Sequence, residues 1–470
     1  MLKRILFLFA LAFMASPLLF AQITTSSIDG TVKGGSDEPL VGATIVATHL
    51  PTGTRYATTS RGGGAFNIQN MKPGGPYLIE ITFVGHEPGK FENIFLQLAE
   101  SFSLTSNLKK TDAALENVVV TTGRRNVFNP NRTGSITNIG LRQITQLPTI
   151  TRSINDFTRA TPQANGAAIG GGNYRQNNFT VDGADFNNSF GIGTNLPANG
   201  SPISVDAIEE ISVTLNPYDI RQSGFIGSAV NAVTRSGTNT FSGSVYKYFR
   251  NERHRGRKVE KTFFTRPPEE YDMFGIRFGG PLIKNKLFFF LNYETETQPK
   301  TIQTNYAATA GAPYGSSSNI TRPTVDSLKY ISQYLFNNYG YVTGPFDNYT
   351  PDITRKKVLA RLDWNISRSQ RFSIRFSQVE GGEPNPPSTS VGGAGTVAGN
   401  TASRQAITAL WFKNSNYFQG ANFYSFAAEL NSNFKRFSNV LRGSYTDQND
   451  SRTSESQIFP LVDIMSTSGG

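Results

Sequence analysis

The second half of this chain repeats one pattern that few folds can satisfy: strict alternation of apolar and polar residues over eight to ten positions. Val358, Ala360, Leu362, Trp364 and Ile366 interleave with Arg361, Asp363, Asn365 and Ser367. Phe372, Ile374 and Phe376 interleave with Arg371, Ser373, Arg375 and Ser377, and Phe274, Ile276 and Phe278 with Gly275, Arg277 and Gly279. The run Tyr424, Phe426, Ala428, Leu430 repeats it. A period of two puts one set on each face of a strand. Eight to ten residues is the length of a membrane-spanning strand with one face for lipid and one for a wet lumen. A soluble sandwich with one wet face alternates too, but its strands run nearer five or six residues.

Connection lengths separate these readings. Strands are expected at 242–250, 271–280, 286–296, 356–367, 370–380, 421–434 and 437–447. The gaps 251–270, 297–355 and 381–420 are long, while those at Pro281–Asn285, Arg368–Ser369 and Lys435–Arg436 are short. Long loops at one end and tight turns at the other are the mark of an outer-membrane barrel. The 381–400 loop is rich in Gly, Pro, Ser and Thr, and 297–355 holds an expected helix at Thr324–Asn338, with Val325, Leu328, Ile331, Tyr334 and Leu335 on one face.

The first residues set the compartment. Lys3 and Arg4 precede an apolar run resumed at Leu18–Phe20, as in a secretory signal over 1–21 cleaved after Ala21. Pro17 interrupts the run, which argues against an anchor helix, and no Cys follows for a lipid. Zero cysteines also remove disulfides and thiolate chemistry, and three histidines disfavour a histidine-rich metal enzyme. His49, His86 and His254 all lack a Glu three residues on, so they read as loop or surface histidines rather than zinc ligands. The net charge of +11 admits anionic lipid. Nucleic acid, which that charge would also admit, is disfavoured by export and by the lack of a recognition helix or stacking motif. The densest basic run, Arg253-His254-Arg255-Gly256-Arg257-Lys258, reads as a solvated cluster in a first outer loop, with lipopolysaccharide or an acidic ligand as the sharper alternative.

Two zones precede the alternating half. Residues 22–107 carry strand-like segments at Ile28–Val32, Ala43–Thr48, Ala65–Ile68, Tyr77–Val84 and Phe102–Leu108, separated by Gly- and Pro-rich turns, which fits a β-sandwich. From 108 to 240 the chain reads as mixed α+β with long loops and short strands at Asn178–Asp182, Ile208–Leu215 and Ala229–Thr234. Its glycine runs at 170–172 and 191–193 lack the Lys-Ser/Thr and the strand–helix frame of a nucleotide loop. Asp182–Asn188 reads as a turn whose side chains bond the backbone, with cation chelation as the alternative. Between the zones, Glu116-Asn117-Val118-Val119-Val120-Thr121-Thr122 fits either a flexible extended segment or an ordinary strand.

The chain resembles the TonB-dependent outer-membrane receptors, Oar-like and SusC-like branch. The first zone is similar to a carboxypeptidase-regulatory-like domain through Ile28-Asp29-Gly30-Thr31-Val32, Pro39-Leu40-Val41-Gly42-Ala43-Thr44 and Gly64-Ala65-Phe66. That domain is not a peptidase. The second zone resembles the receptor plug through Phe179-Thr180-Val181-Asp182-Gly183, Ile208–Val213 and Gly227–Asn239, and 280–294 resembles an early barrel hairpin. The resemblance implies a mainly β chain: signal 1–21, sandwich 22–107, linker 108–122, α+β plug 123–240 and a partial transmembrane antiparallel barrel 241–470. It implies that Glu116, Val118, Val119, Val120 and Thr121 form the TonB box, whose backbone adds to an edge strand of TonB. It also implies energy from an inner-membrane complex, contact with outer-membrane lipid, a SusD-like lipoprotein as possible companion, an unidentified ligand, no cofactor and no catalytic residues. Seven strands cannot close around a plug, which needs about 22, so a C-terminally truncated sequence is expected. The reading from another class is a secreted or surface β-rich adhesin or carbohydrate-binding scaffold. An exported hydrolase is disfavoured by the missing His, Cys and metal patterns.

Overall fold

The computed structural model describes residues 23–111, 135–149, 152–188, 196–197, 202–215, 227–254, 256–263, 270–388, 404–434 and 437–464. The expected signal 1–21, the 116–122 segment and the 191–193 glycines lie outside the described residues.

Seven strands open the chain: β1 (Ser26–Gly34), β2 (Thr44–His49), β3 (Thr54–Thr59), β4 (Ala65–Met71), β5 (Gly74–Thr82), β6 (Gly89–Leu96) and β7 (Ser101–Leu108). They form two sheets, ordered β4-β1-β7 and β3-β2-β5-β6. Ile28, Val32, Phe66 and Leu104 from one sheet and Ile45, Tyr77, Ile79 and Ile81 from the other share one buried core. Sequence reading missed β3 and β6. Only Tyr56 of β3 is buried, and two shifts of register between β5 and β6 break the alternation of β6. A second correction concerns His49. It is not a surface histidine: it is 4% exposed, packs its ring 4.9 Å from that of Tyr77 and has Nδ1 2.7 Å from Thr52 Oγ1. His86 is half-buried and His254 exposed.

The next unit, here the inner unit, contains β8 (Ser135–Gly140), β9 (Ala164–Asn165), β10 (Ala168–Ile169), β11 (Asn178–Val181), β12 (Ala184–Asp185), β13 (Ile208–Leu215) and β14 (Ser228–Thr234), with short helices at Leu141–Gln146 and Ile154–Thr158. Its main sheet runs β12-β11-β14-β13-β8 and is mixed, with β11 parallel to β14. Every residue of β11 and β14 is buried. Strands covered on both faces lose the alternation that marks a half-exposed strand.

The remainder builds a wall. Its strands are β15 (Ser242–Asn251), β16 (Lys258–Val259), β17 (Thr262–Phe263), β18 (Glu270–Ile283), β19 (Leu287–Pro299), β20 (Tyr306–Ala308), β21 (Ile320–Thr324), β22 (Asp352–Asn365), β23 (Gln370–Asn385), β24 (Tyr417–Gly420), β25 (Asn422–Asn433), β26 (Ser438–Asn449) and β27 (Arg452–Thr453). Seven are long and pair antiparallel in the order β15-β18-β19-β22-β23-β25-β26. Among the described residues this sheet is open, ending at β15 and β26. The expected 381–420 loop is shorter than read: β23 continues to Asn385, and β24 pairs with that extension. The helix in the 297–355 loop spans Val325–Tyr339, with Thr324 Oγ1 accepting from Ser327 N and Gly340 ending it at φ 64°. Of its expected apolar face only Leu328 is fully buried.

The two faces of the wall differ as the alternation requires. Phe278, Leu291, Ala360, Phe376, Phe426 and Tyr445 are successive cross-strand partners, an apolar row across six strands on the outer face. On the inner face Phe290, Leu359, Val379, Phe423 and Ala427 join Ile139, Phe157, Ile211 and Val213 in the core of the inner unit. The inner unit is therefore packed against the inner face, and the apolar row is left for hydrocarbon. The sandwich closes the short-turn end: Asn365 Nδ2 donates to Thr54 Oγ1 (3.0 Å), Asn433 Nδ2 to the Gln69 carbonyl (3.0 Å) and Asn239 N to the Pro51 carbonyl (2.8 Å).

Two outcomes follow. A Cβ on Gly275 would stand 2.1 Å from Tyr246 Cζ, so Gly275→Val is expected to cost about 1–3 kcal/mol, recovered in part by adding Tyr246→Ala; denaturant unfolding measures both. Burial, with a smaller contribution from Lys72, holds the His49 imidazole down to about 2. The folded state therefore binds fewer protons than the unfolded chain, whose imidazole titrates near 6.5, and stability falls as pH drops below that value, by about 1.4 kcal/mol per pH unit. Unfolding followed at pH 7 and pH 5 should show this slope, and His49→Gln should remove its share.

Candidate functional site between the inner unit and the wall

Alternation forces Arg355, Lys357, Arg361, Arg375, Glu294 and Glu296 onto the inner face of the wall, away from hydrocarbon. Charges there need partners, since removing an ion from water costs several kcal/mol. The partners form two clusters.

The first centres on Asp182, in the turn after β11. Its backbone is left-handed (φ 46°) and Gly183 follows at φ 75°, a conformation that presents the carboxylate to the wall. Thr234 donates to it from N (2.9 Å) and Oγ1 (2.6 Å). Arg361 Nη1 lies 3.2 Å and Arg375 Nη1 3.6 Å from its oxygens. Arg361 also forks onto Asp363 (2.8 and 2.9 Å) and donates to the Thr234 carbonyl (3.1 Å). Arg375 donates to Ser425 Oγ (2.9 Å) and lies over the Phe186 ring (5.1 Å), which packs on Phe423. Burial alone would raise the Asp182 carboxyl; Arg361, Arg375 and the Thr234 hydrogen bonds outweigh it and hold the group below the usual carboxylate range.

The second cluster lies further along the wall. Glu294 accepts from Ser204 Oγ (2.8 Å), Tyr246 Oη (2.8 Å) and Lys357 Nζ (2.7 Å). Arg355 Nη1 donates to Glu296 Oε1 (2.9 Å). Ser204 is the contribution of the inner unit. Arg152, also from the inner unit, pairs with Asp206 and lies 4.4 Å over the Tyr248 ring of β15.

The sandwich reaches the same interface. Lys72 Nζ donates to Ser236 Oγ, and the Leu98 amide to Glu210 Oε1 (3.0 Å). Burial pushes the Lys72 ammonium down and the Glu209 carboxyl up, while Glu209 lies 3.6 Å from Arg235. Thr24 Oγ1 donates to Glu429 Oε2 (2.9 Å), which also holds Arg442.

The arrangement fixes the inner unit against the wall through buried ion pairs and hydrogen bonds. Among the described residues no group of three or more His, Asp or Glu is placed to hold a metal ion. Asp182–Asn188 forms a turn bonded to its backbone, as Asn187 N donates to Asp185 Oδ1 (2.8 Å) and Phe179 N to Asn187 Oδ1 (2.7 Å). Sequence reading placed Asp182 in that turn and missed its grip on Arg361 and Arg375. The signal that could have found it is the inward phase of both arginines, which demands a carboxylate opposite. Arg253, His254, Arg257 and Lys258 are exposed; Arg255 lies outside the described residues. Glu116, Val118, Val119, Val120 and Thr121 also lie outside them; their described flanks are β7, ending at Leu108, and β8, beginning at Ser135.

Asp182→Asn should cost about 3–5 kcal/mol, because it leaves two buried guanidiniums without their shared counter-charge. Hydrogen exchange should quicken in β11 and β14 well before the wall strands. Because the folded carboxyl titrates below the unfolded one, its contribution is complete above pH 4 and fades only as pH falls lower.

Residues 233–470 match the outer membrane beta barrel domain, and residues 27–109 the carboxypeptidase regulatory-like domain. The TonB-dependent transporter Oar of Myxococcus xanthus is 26% identical over 294 residues, covering 58% of this chain and 27% of the relative; the chain thus spans about a quarter of that protein's length. Among solved structures, the outer membrane transporter YddB from Escherichia coli aligns at TM-score 0.46 and 11% identity, over 68% of this chain and 40% of that one. The siderophore receptor PirA from Acinetobacter baumannii aligns at 0.42 and 18%, over 67% and 40%. The barrel match takes in more than half of the 470 residues, so the chain belongs to the outer membrane beta barrel family, and its place is the outer membrane of a Gram-negative bacterium.

Proposed function

We propose that this chain works in a ligand-gated, energy-coupled outer-membrane transporter. The observation that carries the reading is the seating of the inner unit, with its own mixed sheet, against the charged face of a sheet whose other face is apolar. In this reading residues 123–240 are the plug, 241–470 contribute to the barrel, and the sandwich faces the periplasm with the short turns. A ligand, unidentified, binds from the long-loop side. Residues 116–122 then become available to TonB, with Glu116, Val118, Val119, Val120 and Thr121 forming the paired segment.

The chemistry is mechanical. Three β-branched valines favour an extended backbone, and several backbone hydrogen bonds in parallel share a pulling load. The load reaches the inner unit through β8, which pairs with β13 from Ser135↔Leu215 to Gly140↔Glu210. The ion pairs of Asp182 resist it until they part together. Buried ion pairs suit such a joint, since they are specific in register yet weak in net stability. No covalent step is involved. A SusD-like lipoprotein is a possible companion on the long-loop side, favouring glycan or peptide ligands.

Val119→Pro tests the reading, because proline removes a backbone donor from the paired segment. The purified TonB periplasmic domain should bind the variant about tenfold more weakly than the parent chain, at unchanged outer-membrane level. Equal binding, with surface attachment as the retained activity, would favour the adhesin reading instead.

A further inference from the structure

Where sandwich, inner unit and wall meet at the short-turn end, they line a half-open cavity of about 100 Å³. Lys72 of the sandwich lines it together with Arg361, Arg371 and Arg375 of the wall, facing Asp182, Asp363 and Glu429. The carboxylates are already engaged. Asp363 takes the fork of Arg361, Asp182 is divided between Arg361 and Arg375, and Glu429 takes Arg442. Among the lining side chains four cations, Lys72, Arg361, Arg371 and Arg375, meet three carboxylates, one of which is also drawn on by Arg442, so positive charge is in excess.

The hydrogen bonds are incomplete in the same place. Arg375 is 2% exposed, yet its Nε and Nη1 have no acceptor, Nη1 standing 3.6 Å from Asp182. Arg371, stacked 3.8 Å over the Tyr56 ring, has a buried Nη1 without an acceptor. Asn431 lines the cavity with a buried Oδ1 that receives no donor. Water could meet the N–H groups but brings no charge. A monohydrogen oxyanion brings two negative charges, oxygens that match guanidinium forks, and one O–H for Asn431. One water needs about 10–15 Å³ of such volume, so the cavity has room for several waters or one such ion.

We infer that this junction cavity is a binding site for a small tetrahedral oxyanion of the hydrogen phosphate class, held by Arg371 and Arg375 with Lys72 beside it. The ion is the missing counter-charge of the three-way joint and ties the sandwich to the wall. The inference does not rest on the transport reading.

The test is thermal unfolding of the full chain in uncharged detergent micelles at pH 7.5, with inorganic phosphate, sulfate or chloride at equal ionic strength. Phosphate should give a saturable rise of about 2–4 °C, and sulfate, which has no O–H at this pH, a smaller one. Arg371→Gln, at a half-buried position, should fold and lose the rise. Asn431→Ala should keep a rise but make phosphate and sulfate equal. An equal rise in chloride, or a phosphate rise that survives Arg371→Gln, overturns the site and leaves water as the occupant. A response to added phosphatidylglycerol with none to free phosphate overturns a soluble ion as the occupant.

Discussion

A charged residue can sit on a membrane-spanning strand only if it points away from hydrocarbon and finds a partner where it points. That constraint organises the whole structure. Arg361 and Arg375 on β22 and β23 point inward, and the wall supplies only part of what they need: Asp363 for one, Ser425 for the other. The rest comes from Asp182, on another folded unit. The inner unit is thus more than filling. It completes the electrostatics of the wall, and its own core incorporates Phe290, Leu359, Val379 and Phe423 from wall strands.

The two kinds of contact play different parts. The apolar contacts supply the larger share of the association, as buried apolar area does in most interfaces. The ion pairs set register, because each requires a particular pair of residues within about 4 Å. The sandwich adds a third body at the short-turn end, bonding both to turns of the wall and to the inner unit through Lys72 and Leu98. Any displacement of the inner unit toward that end therefore meets the sandwich as well as the wall. On the transport reading, the linker at 108–122 joins two docked bodies, and a pull on it loads both.

Much of this was legible from residues alone, and for a reason. Strands between lipid and protein keep strict alternation, so Phe274–Phe278 and Phe372–Phe376 announced both their strands and which side faces out. Loop-length parity announced which end carries the turns. Legibility failed where register slips, as between β5 and β6, and for short strands of the inner unit such as β8 and β12, whereas β14, covered on both faces, was still read at Ala229–Thr234. His49 failed for a related reason: a histidine at the end of a strand reads as polar surface until the ring stacked on it, Tyr77, is known.

Composition, period and motif by themselves determined the class of fold, its three zones and the inward phase of the wall charges. These are properties of single segments, set by local backbone geometry and by the two solvents a strand must face. Only the tertiary structure decided that Asp182 serves Arg361 and Arg375, that Ser204 serves Glu294, and that Lys72 closes the junction over Ser236. Those pairings join residues far apart in sequence. Their geometry is fixed by how sandwich, inner unit and wall pack, which no local pattern encodes.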